Sequence, residues 1–269
     1  MAKIAAQAVV DPRAVLADDV EVGPFCCIGP DVSIGPGTVL ANNVTLTGRV
    51  TIGAGNRIHS GVVIGDAPQD LSYRGGATQV VIGDGNVIRE HVTINRGSEK
   101  EDGVTSIGSQ CYLMANSHVA HDCKLGSRVV IANGTLLAGH VHVHDDVTLS
   151  GNVAIHHYAT VGSYSFVGGL ARVTGDIPPY MLCEGSPARP RCVNVVALKR
   201  NDFSQTAIKA LQEAHRLLYR GKVRLDDARE ILRSGGLLVP QVNHLLSFLE
   251  IQQEGRHGRG RERLRRMAA

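Results

Sequence analysis

The stretch "HVAHDC" places His118, His121, Asp122 and Cys123 within six residues of one another. Those residue types admit three kinds of chemistry. A histidine beside an aspartate can accept and return a proton near neutral pH. Two histidines with a carboxylate or thiol can ligate zinc. The same residues can also sit on a wet surface and do nothing. More histidines follow at His140, His142, His144, His156 and His157, so the choice depends on which of them the fold brings together.

The elements around these residues obey a period of six. Aliphatic residues recur from Ile4 to Ile64, return in the same phase at Ile82, Ile88 and Ile94, and run on, shifted by one, from Ile107 to Val173; all 26 positions are Ile, Leu or Val. Neither a helix period of 3.6 nor strand alternation gives a strict six. A hexapeptide repeat gives a β-helix whose coils stack through backbone hydrogen bonds. Each hexapeptide makes one flat side with its aliphatic residue inward, and glycine and asparagine are expected at the corners, where positive φ is easiest for them. Aromatics at 4% with no Trp, against 31 glycines, agree with short strands and tight turns. The pattern resembles the left-handed parallel β-helix of the hexapeptide acyltransferases. That resemblance implies a triangular prism with 18 residues per coil, packed side by side as a homotrimer with sites in the grooves between subunits.

Two breaks interrupt the prism. "GDAPQDLSYRGGATQVV" (65–81) must loop out, and "NRGSEKEDGVTS" (95–106) reads as a shorter polar surface insertion. The β-helix domain is assigned to 1–190. From 191 to 255 the periodicity turns helical, with Ile208, Leu211, His215 and Leu218 on one face. The remainder, 256–269, is an Arg-rich tail expected to be solvated and disordered, with binding to anionic lipid or nucleic acid as the alternative. No nucleic-acid partner is expected for the domains themselves. The chain has no membrane-spanning apolar run and no signal-peptide core. Its six cysteines form no CxxC pair, which points to reduced thiols in the cytoplasm.

With 18 residues per coil, His121, Gly139 and His157 stack one above another, as do Asp122 and His140, at the strand spacing of ~4.8 Å. His121 then reads as a general base with Asp122 orienting it, and the N–H of Gly139 as a donor to a developing oxyanion. This is the equipment for acyl transfer from a thioester to an alcohol. Zinc is the competing reading, because hexapeptide β-helices include γ-type carbonic anhydrases with histidines on different coils. His121 and His157 fit two such ligands, but Gly162 stands at the third position, leaving His118 or His140 to be recruited. No metal is therefore assigned. His142 and His144 read as structural.

Six motifs in order, "GPFCCIGP", "DAPQDLSY", "VTINRG", "LMANSHVAHDC", "LAGHVHV" and "VNVVALKR", resemble the UDP-N-acetylglucosamine 3-O-acyltransferases. The resemblance implies transfer of a 3-hydroxyacyl group from acyl carrier protein to the sugar 3-hydroxyl, the first step of lipid A biosynthesis. The carrier thioester would be a co-substrate, and no separate cofactor is implied. By motif, His121, Asp122 and Gly139 are catalytic, while His118, His140 and His156 line the substrate groove. Asp70 approaches the sugar, Asn194 and Arg200 meet the nucleotide and donor, and Gly169 is the acyl-chain ruler. Four positions depart: Ser72 stands where Lys is usual, Val196 where Glu is common, Asn201 where a second basic residue often follows, and His157 where Gln is usual. The loss of Lys at 72 predicts weaker anion contacts and leaves a 3-amino UDP-sugar as an alternative acceptor. Lys199, Arg200, Lys209, Arg216, Arg220, Lys222 and Arg224 suit docking of an acidic carrier protein.

Overall fold

The computed structural model describes residues 1–256 together with Gly258 and Arg261. Its 28 strands, most of them two residues long, form three sheets of 11, 9 and 8 strands, parallel except for the last pair of the first. Every third strand pairs, so His118 lies opposite Leu136 and Leu136 opposite Ala154. These 18-residue steps give the expected three-sided coil.

The aliphatic row points inward. From Val22 to Val173 every member is 4% exposed or less, whereas Ile4 at the open first coil is 47% exposed. Burying each such side chain stabilises the fold by ~1.5–3 kcal/mol. A second inward row lies two residues earlier in each hexapeptide. It is built of smaller groups, including Val20, Cys26, Thr38, Asn56, Asn86, Cys111, Cys123 and Val129, all buried. Its polar members bond to one another along the axis: Asn56 Oδ1 accepts from Asn86 Nδ2 at 2.9 Å, and Asn86 Oδ1 accepts from the Cys111 amide at 2.7 Å.

The corners agree with expectation in the earlier coils, where left-handed φ falls on Gly37, Asn43, Gly55, Gly61 and Gly85, and depart from it in the later ones. Left-handed φ recurs at Asn116, Asp122, Arg128, Gly134, His140, Asp146, Asn152, Tyr158, Tyr164 and Leu170. Most of these are neither glycine nor asparagine. The corners form three edges, each a ladder of backbone bonds. One runs through Asp122, His140 and Tyr158, another through Arg128, Asp146, Tyr164 and Tyr180, and the third through Asn116, Gly134, Asn152 and Leu170.

Strands extend into both predicted loops, at Gln79–Ile82 and Val104–Ile107. The excursions that leave the prism are thus 67–78 and 96–103. After the antiparallel pair Met181–Gly185 and Ala188–Val193 come α1 (Val195–Arg200), α2 (Gln205–His215), a π-helical turn (Arg216–Arg220), α3 (Leu225–Ser234) and α4 (Pro240–Gln253). The π turn rotates the α2 face, so Leu217 is buried with Ile208, Leu211 and His215 while Leu218 is only half-buried. Tyr180 Oη and His244 Nδ1, 2.7 Å apart, join α4 to the prism.

The tail departs from expectation where it is described. Arg261 donates to the carbonyls of His140 and Tyr158 at 2.6 and 2.9 Å and to Nε2 of His142 at 2.6 Å, and Gly258 is buried against Thr160. An arginine with that many acceptors is not a solvated end. The rest of the expected disorder falls on residues outside the described ones.

Candidate active site

His121 and Asp122 are the two central residues of a corner turn, and Gly139 and His140 are the same two residues one coil further on. His121 Nδ1 donates to Asp122 Oδ2 at 2.8 Å, which leaves Nε2 for the groove. Asp122 is fully buried and also accepts from the Ser98 amide at 2.9 Å and the Ser98 hydroxyl at 2.6 Å. Burial alone would raise its pKa, but the bonds from His121 and Ser98 outweigh that and hold it below the ordinary carboxylate range. The carboxylate is therefore ionised at neutral pH and fixes the tautomer of the imidazole.

Gly139 is required for its missing side chain. A Cβ there would lie 2.5 Å from Cε1 and 2.7 Å from Nε2 of His121. Its φ is not in the left-handed region, so contact with the ring sets the requirement. The amides of Ala138 and His140 bond to Ile155 and His121, whereas among the described residues no such bond uses the Gly139 amide.

His140 stands edge-on to His121 with centroids 5.0 Å apart and stacks on Tyr158 at 4.4 Å. Its Nδ1 is 3.2 Å from Glu101. His118 shares a 2.7 Å hydrogen bond with Thr93, and burial, then the neighbouring His121, lowers its pKa. Gln69, His118, His121, Leu136, Ala138 and Gly139 line one groove of about 560 Å³. His156 and His157 pack ring to ring at 3.9 Å on the same edge, one coil beyond Gly139.

The second excursion is the element that sequence reasoning undervalued. Ser98, Lys100 and Glu101 reach Asp122, Asp70 and His140 respectively. Ser72 bonds Asp70 Oδ1 at 2.9 Å, and Lys100 pairs with Oδ2. Burial would raise the pKa of Asp70, but Lys100 and Ser72 pull it well below the usual range. The positive charge missing at Ser72 thus arrives from the other loop. No local signal in "SEKED" announces this, because it depends on where two loops meet.

Asn194 and Arg200 do not join His121. Asn194 bonds Tyr180 and Tyr164 on the second edge, where it lines a larger cavity of about 710 Å³ with Val196, Lys209, His215, Arg216 and Arg220. Arg200 is exposed on α1. Gly169 lies on the third edge beside Gly151. The axial offset from His121 is as expected, but within one chain the two face different grooves. A left-handed φ does not explain Gly169 either. That conformation belongs to Leu170, and a Cβ on Gly169 would make only ordinary contacts at 3.4 Å and beyond.

Ligand atoms of His121, Asp122 and His140 converge within 4.8 Å, a spacing that can hold a metal ion. The Asp122 carboxylate already accepts three hydrogen bonds, from the Ser98 amide and hydroxyl and from His121, and Glu101 faces His140. The same groups have the chemistry of a proton-transfer network.

Comparison with known proteins agrees with this geometry. Residues 105–139 match the bacterial transferase hexapeptide family and 176–260 match domain 2 of the UDP-N-acetylglucosamine O-acyltransferases. An acyl-[acyl-carrier-protein]--UDP-N-acetylglucosamine O-acyltransferase of Syntrophobacter fumaroxidans is 44% identical over 92% of this chain and 96% of its own length. The chain belongs to this O-acyltransferase family. One from Halorhodospira halophila is likewise 44% identical, over 95% of this chain and 99% of its own. The solved structure of a UDP-N-acetylglucosamine acyltransferase from Bacteroides fragilis superposes with a TM-score of 0.88 at 34% identity, covering 92% of this chain and 96% of that one. The LpxA structure from Acinetobacter baumannii gives 0.88 at 39% identity, with the same coverage. The family fold is the left-handed parallel β-helix with C-terminal helices.

Proposed function

We propose that this chain transfers a 3-hydroxyacyl group from acyl carrier protein to the 3-hydroxyl of UDP-N-acetylglucosamine, the first step of lipid A biosynthesis. The observation that carries the reading is the His121–Asp122 pair seated over Gly139, in a member of this family. His121 Nε2 takes the proton of the attacking hydroxyl while buried Asp122 stabilises the imidazolium that forms. The oxygen forms a bond to the thioester carbon, and the Gly139 amide donates to the resulting oxyanion. Collapse breaks the carbon–sulfur bond, and the proton on His121 passes to the departing thiolate. No further cofactor takes part.

The assembly is a homotrimer. His121, Asn194 and Gly169 lie on three different edges of one prism, so a groove between chains is what unites base, nucleotide site and chain-length site. Leu136 in the His121 groove is 50% exposed and Leu170 beside Gly169 is 77% exposed, in keeping with an apolar acyl chain or a second subunit there. Lys209, Arg216 and Arg220 around the Asn194 cavity suit phosphate groups of the nucleotide or carrier. All six cysteines are free, as expected in the cytoplasm. Among the described residues no helix is long and apolar enough to cross a membrane.

The test is purified enzyme with UDP-N-acetylglucosamine and a series of 3-hydroxyacyl carrier proteins, with products weighed by mass spectrometry. An ester at the sugar 3-position supports the reading. Absence of acylated sugar for every donor would overturn it.

A further inference from the structure

Four consecutive residues of the second excursion each reach a different part of the site. Ser98 gives its amide and hydroxyl to Asp122. Glu99 accepts the amides of Gly76 and Arg74 at 2.7 and 3.2 Å, tying down the first excursion. Lys100 pairs with Asp70, and Glu101 faces His140 at 3.2 Å. Asp102 then anchors the segment to Lys124 Nζ at 2.8 Å. The neck is closed tightly, since a Cβ on Gly97 would lie 2.2 Å from the carbonyl carbon of Gly103. Arg96 also bonds Gly65 O at 2.8 Å and Tyr73 Oη at 3.2 Å, and Asn95 bonds Ala67 O at 2.8 Å. Such a segment has little freedom to drift. Its hydroxyl lies within the proton-transfer pair, and its ammonium lies on the one carboxylate that the first excursion holds near the groove.

We infer that Ser98–Glu101 is the positioning element of the site and that its residues divide the work. Ser98 acts through Asp122 on the proton-transfer step, and Lys100 acts through Asp70 on binding of the anionic sugar nucleotide. The inference rests on the acyl-transfer reading for the reaction, although the placement of Lys100 is testable by binding alone. In Ser98→Ala, Asp122 keeps its charge and the amide donor to Oδ1 but loses the hydroxyl donor to Oδ2, the oxygen that also holds His121, so the imidazole loses its register over Gly139. Hydrogen bonds to a charged group are worth about 10-fold or more in rate when they fix such a geometry. Without the Lys100 ammonium, Asp70 presents an uncompensated negative charge to a diphosphate-bearing acceptor. That weakens binding by ~5–10-fold and leaves the chemical step alone.

The experiment compares Ser98→Ala, Ser98→Thr, Lys100→Met and Lys100→Arg with the wild type by steady-state kinetics, thermal melting and calorimetric titration with UDP-N-acetylglucosamine. Ser98→Ala is expected to lose about 10-fold in kcat with KM for the acceptor within twofold, and Ser98→Thr to recover most of it. Lys100→Met is expected to raise the acceptor Kd and KM ~5–10-fold at unchanged kcat, and Lys100→Arg to restore them. A fall in the same parameter by the same factor in both variants would reduce the loop to scaffolding and overturn the inference. So would an unchanged Kd in Lys100→Met. Lys100 is about a third exposed, so its arm reads out whether or not Ser98→Ala folds. The titration separates this inference from the reaction itself, because failed acyl transfer refutes the function while altered binding still reports on the loop.

Discussion

Two edges of the prism turn the same corner with different residues. On the edge through Asn116, Gly134 and Asn152, the left-handed positions hold the residues that tolerate them best. On the edge through Asp122, His140 and Tyr158, the same backbone holds an ionised carboxylate and two aromatic rings. A non-glycine residue in that conformation costs about 1 kcal/mol or more, less for Asp and Asn. The first edge is chosen for the backbone and the second for its side chains. The rule also lapses at Phe25, His91 and Leu170 on the first edge and at Arg128, Asp146, Tyr164 and Tyr180 on the remaining one. Two of the lapses adjoin groups that the proposed reaction uses, Asp122 beside His121 and Leu170 beside Gly169.

The comparison breaks most completely at His121. His121→Ala is expected to cost ~10²–10⁴-fold in kcat while the prism stays folded, because the ring, although buried, lies outside the aliphatic rows that fill it. A variant with more than half of wild-type activity would remove His121 from the mechanism. Gly139→Ala is next. Its methyl group meets the His121 ring 2.5 Å away, so the ring must shift, with an expected loss of ~10²-fold in activity. The equivalent change at Gly151, where a Cβ finds nothing nearer than 3.6 Å, should be close to silent in the same assay.

On the third edge, Gly169→Met is expected to shift donor preference towards shorter acyl chains by about 10-fold in kcat/KM with little loss on those chains. Unchanged selectivity in a folded, active variant would leave Gly169 with no part in chain length. A pH titration of stability sharpens the picture at His142, where burial, then Arg261, pushes the pKa down to about 4. A histidine depressed in the folded state is neutral in both states above pH ~6.5 and charges first in the unfolded chain. Stability should therefore fall between pH ~6.5 and ~4, by up to about 3 kcal/mol from this group, and His142→Asn should flatten that part of the melting profile. Ser72→Lys has the smallest expected effect. Lys100 already pairs with Asp70, so KM for the acceptor should not fall, and a clear decrease would show that the first excursion lacks a charge.

The inward aliphatic row and the stacking of His121, Gly139 and His157 were legible because a strict period turns sequence spacing into position. The second inward row was obscured by its mixed composition, since Thr38, Asn56 and Cys111 share no hydropathy. The later corner positions were not legible because glycine is also abundant immediately after the aliphatic row, as at Gly23, Gly35, Gly108 and Gly162, where the next coil leaves no room for a Cβ but φ is ordinary. Ser98, Lys100 and Glu101 were invisible for another reason. Once the chain leaves the prism, period no longer maps to place, and only the folded path shows which side chains reach Asp122, Asp70 and His140. Gly169 was legible in height and not in face: 48 residues from His121 is two coils and two further sides, so within one chain the two lie on different edges.

The second inward row has a bearing on chemical modification. Cys123, directly after the His121–Asp122 pair, is fully enclosed, donates its thiol hydrogen to Ala138 O, and has its pKa pushed up to about 12 by burial. Thiolate is the form that alkylating agents and peroxides attack, so this sulfur is shielded both by access and by protonation. Cys27 and Cys192 are exposed instead, and Cys192 lines the Asn194 cavity. Thiol-directed labels and oxidants will therefore mark Cys192 at the Asn194 cavity and Cys27, four strands from His118 in the same sheet, and leave the sulfur that adjoins Asp122 untouched.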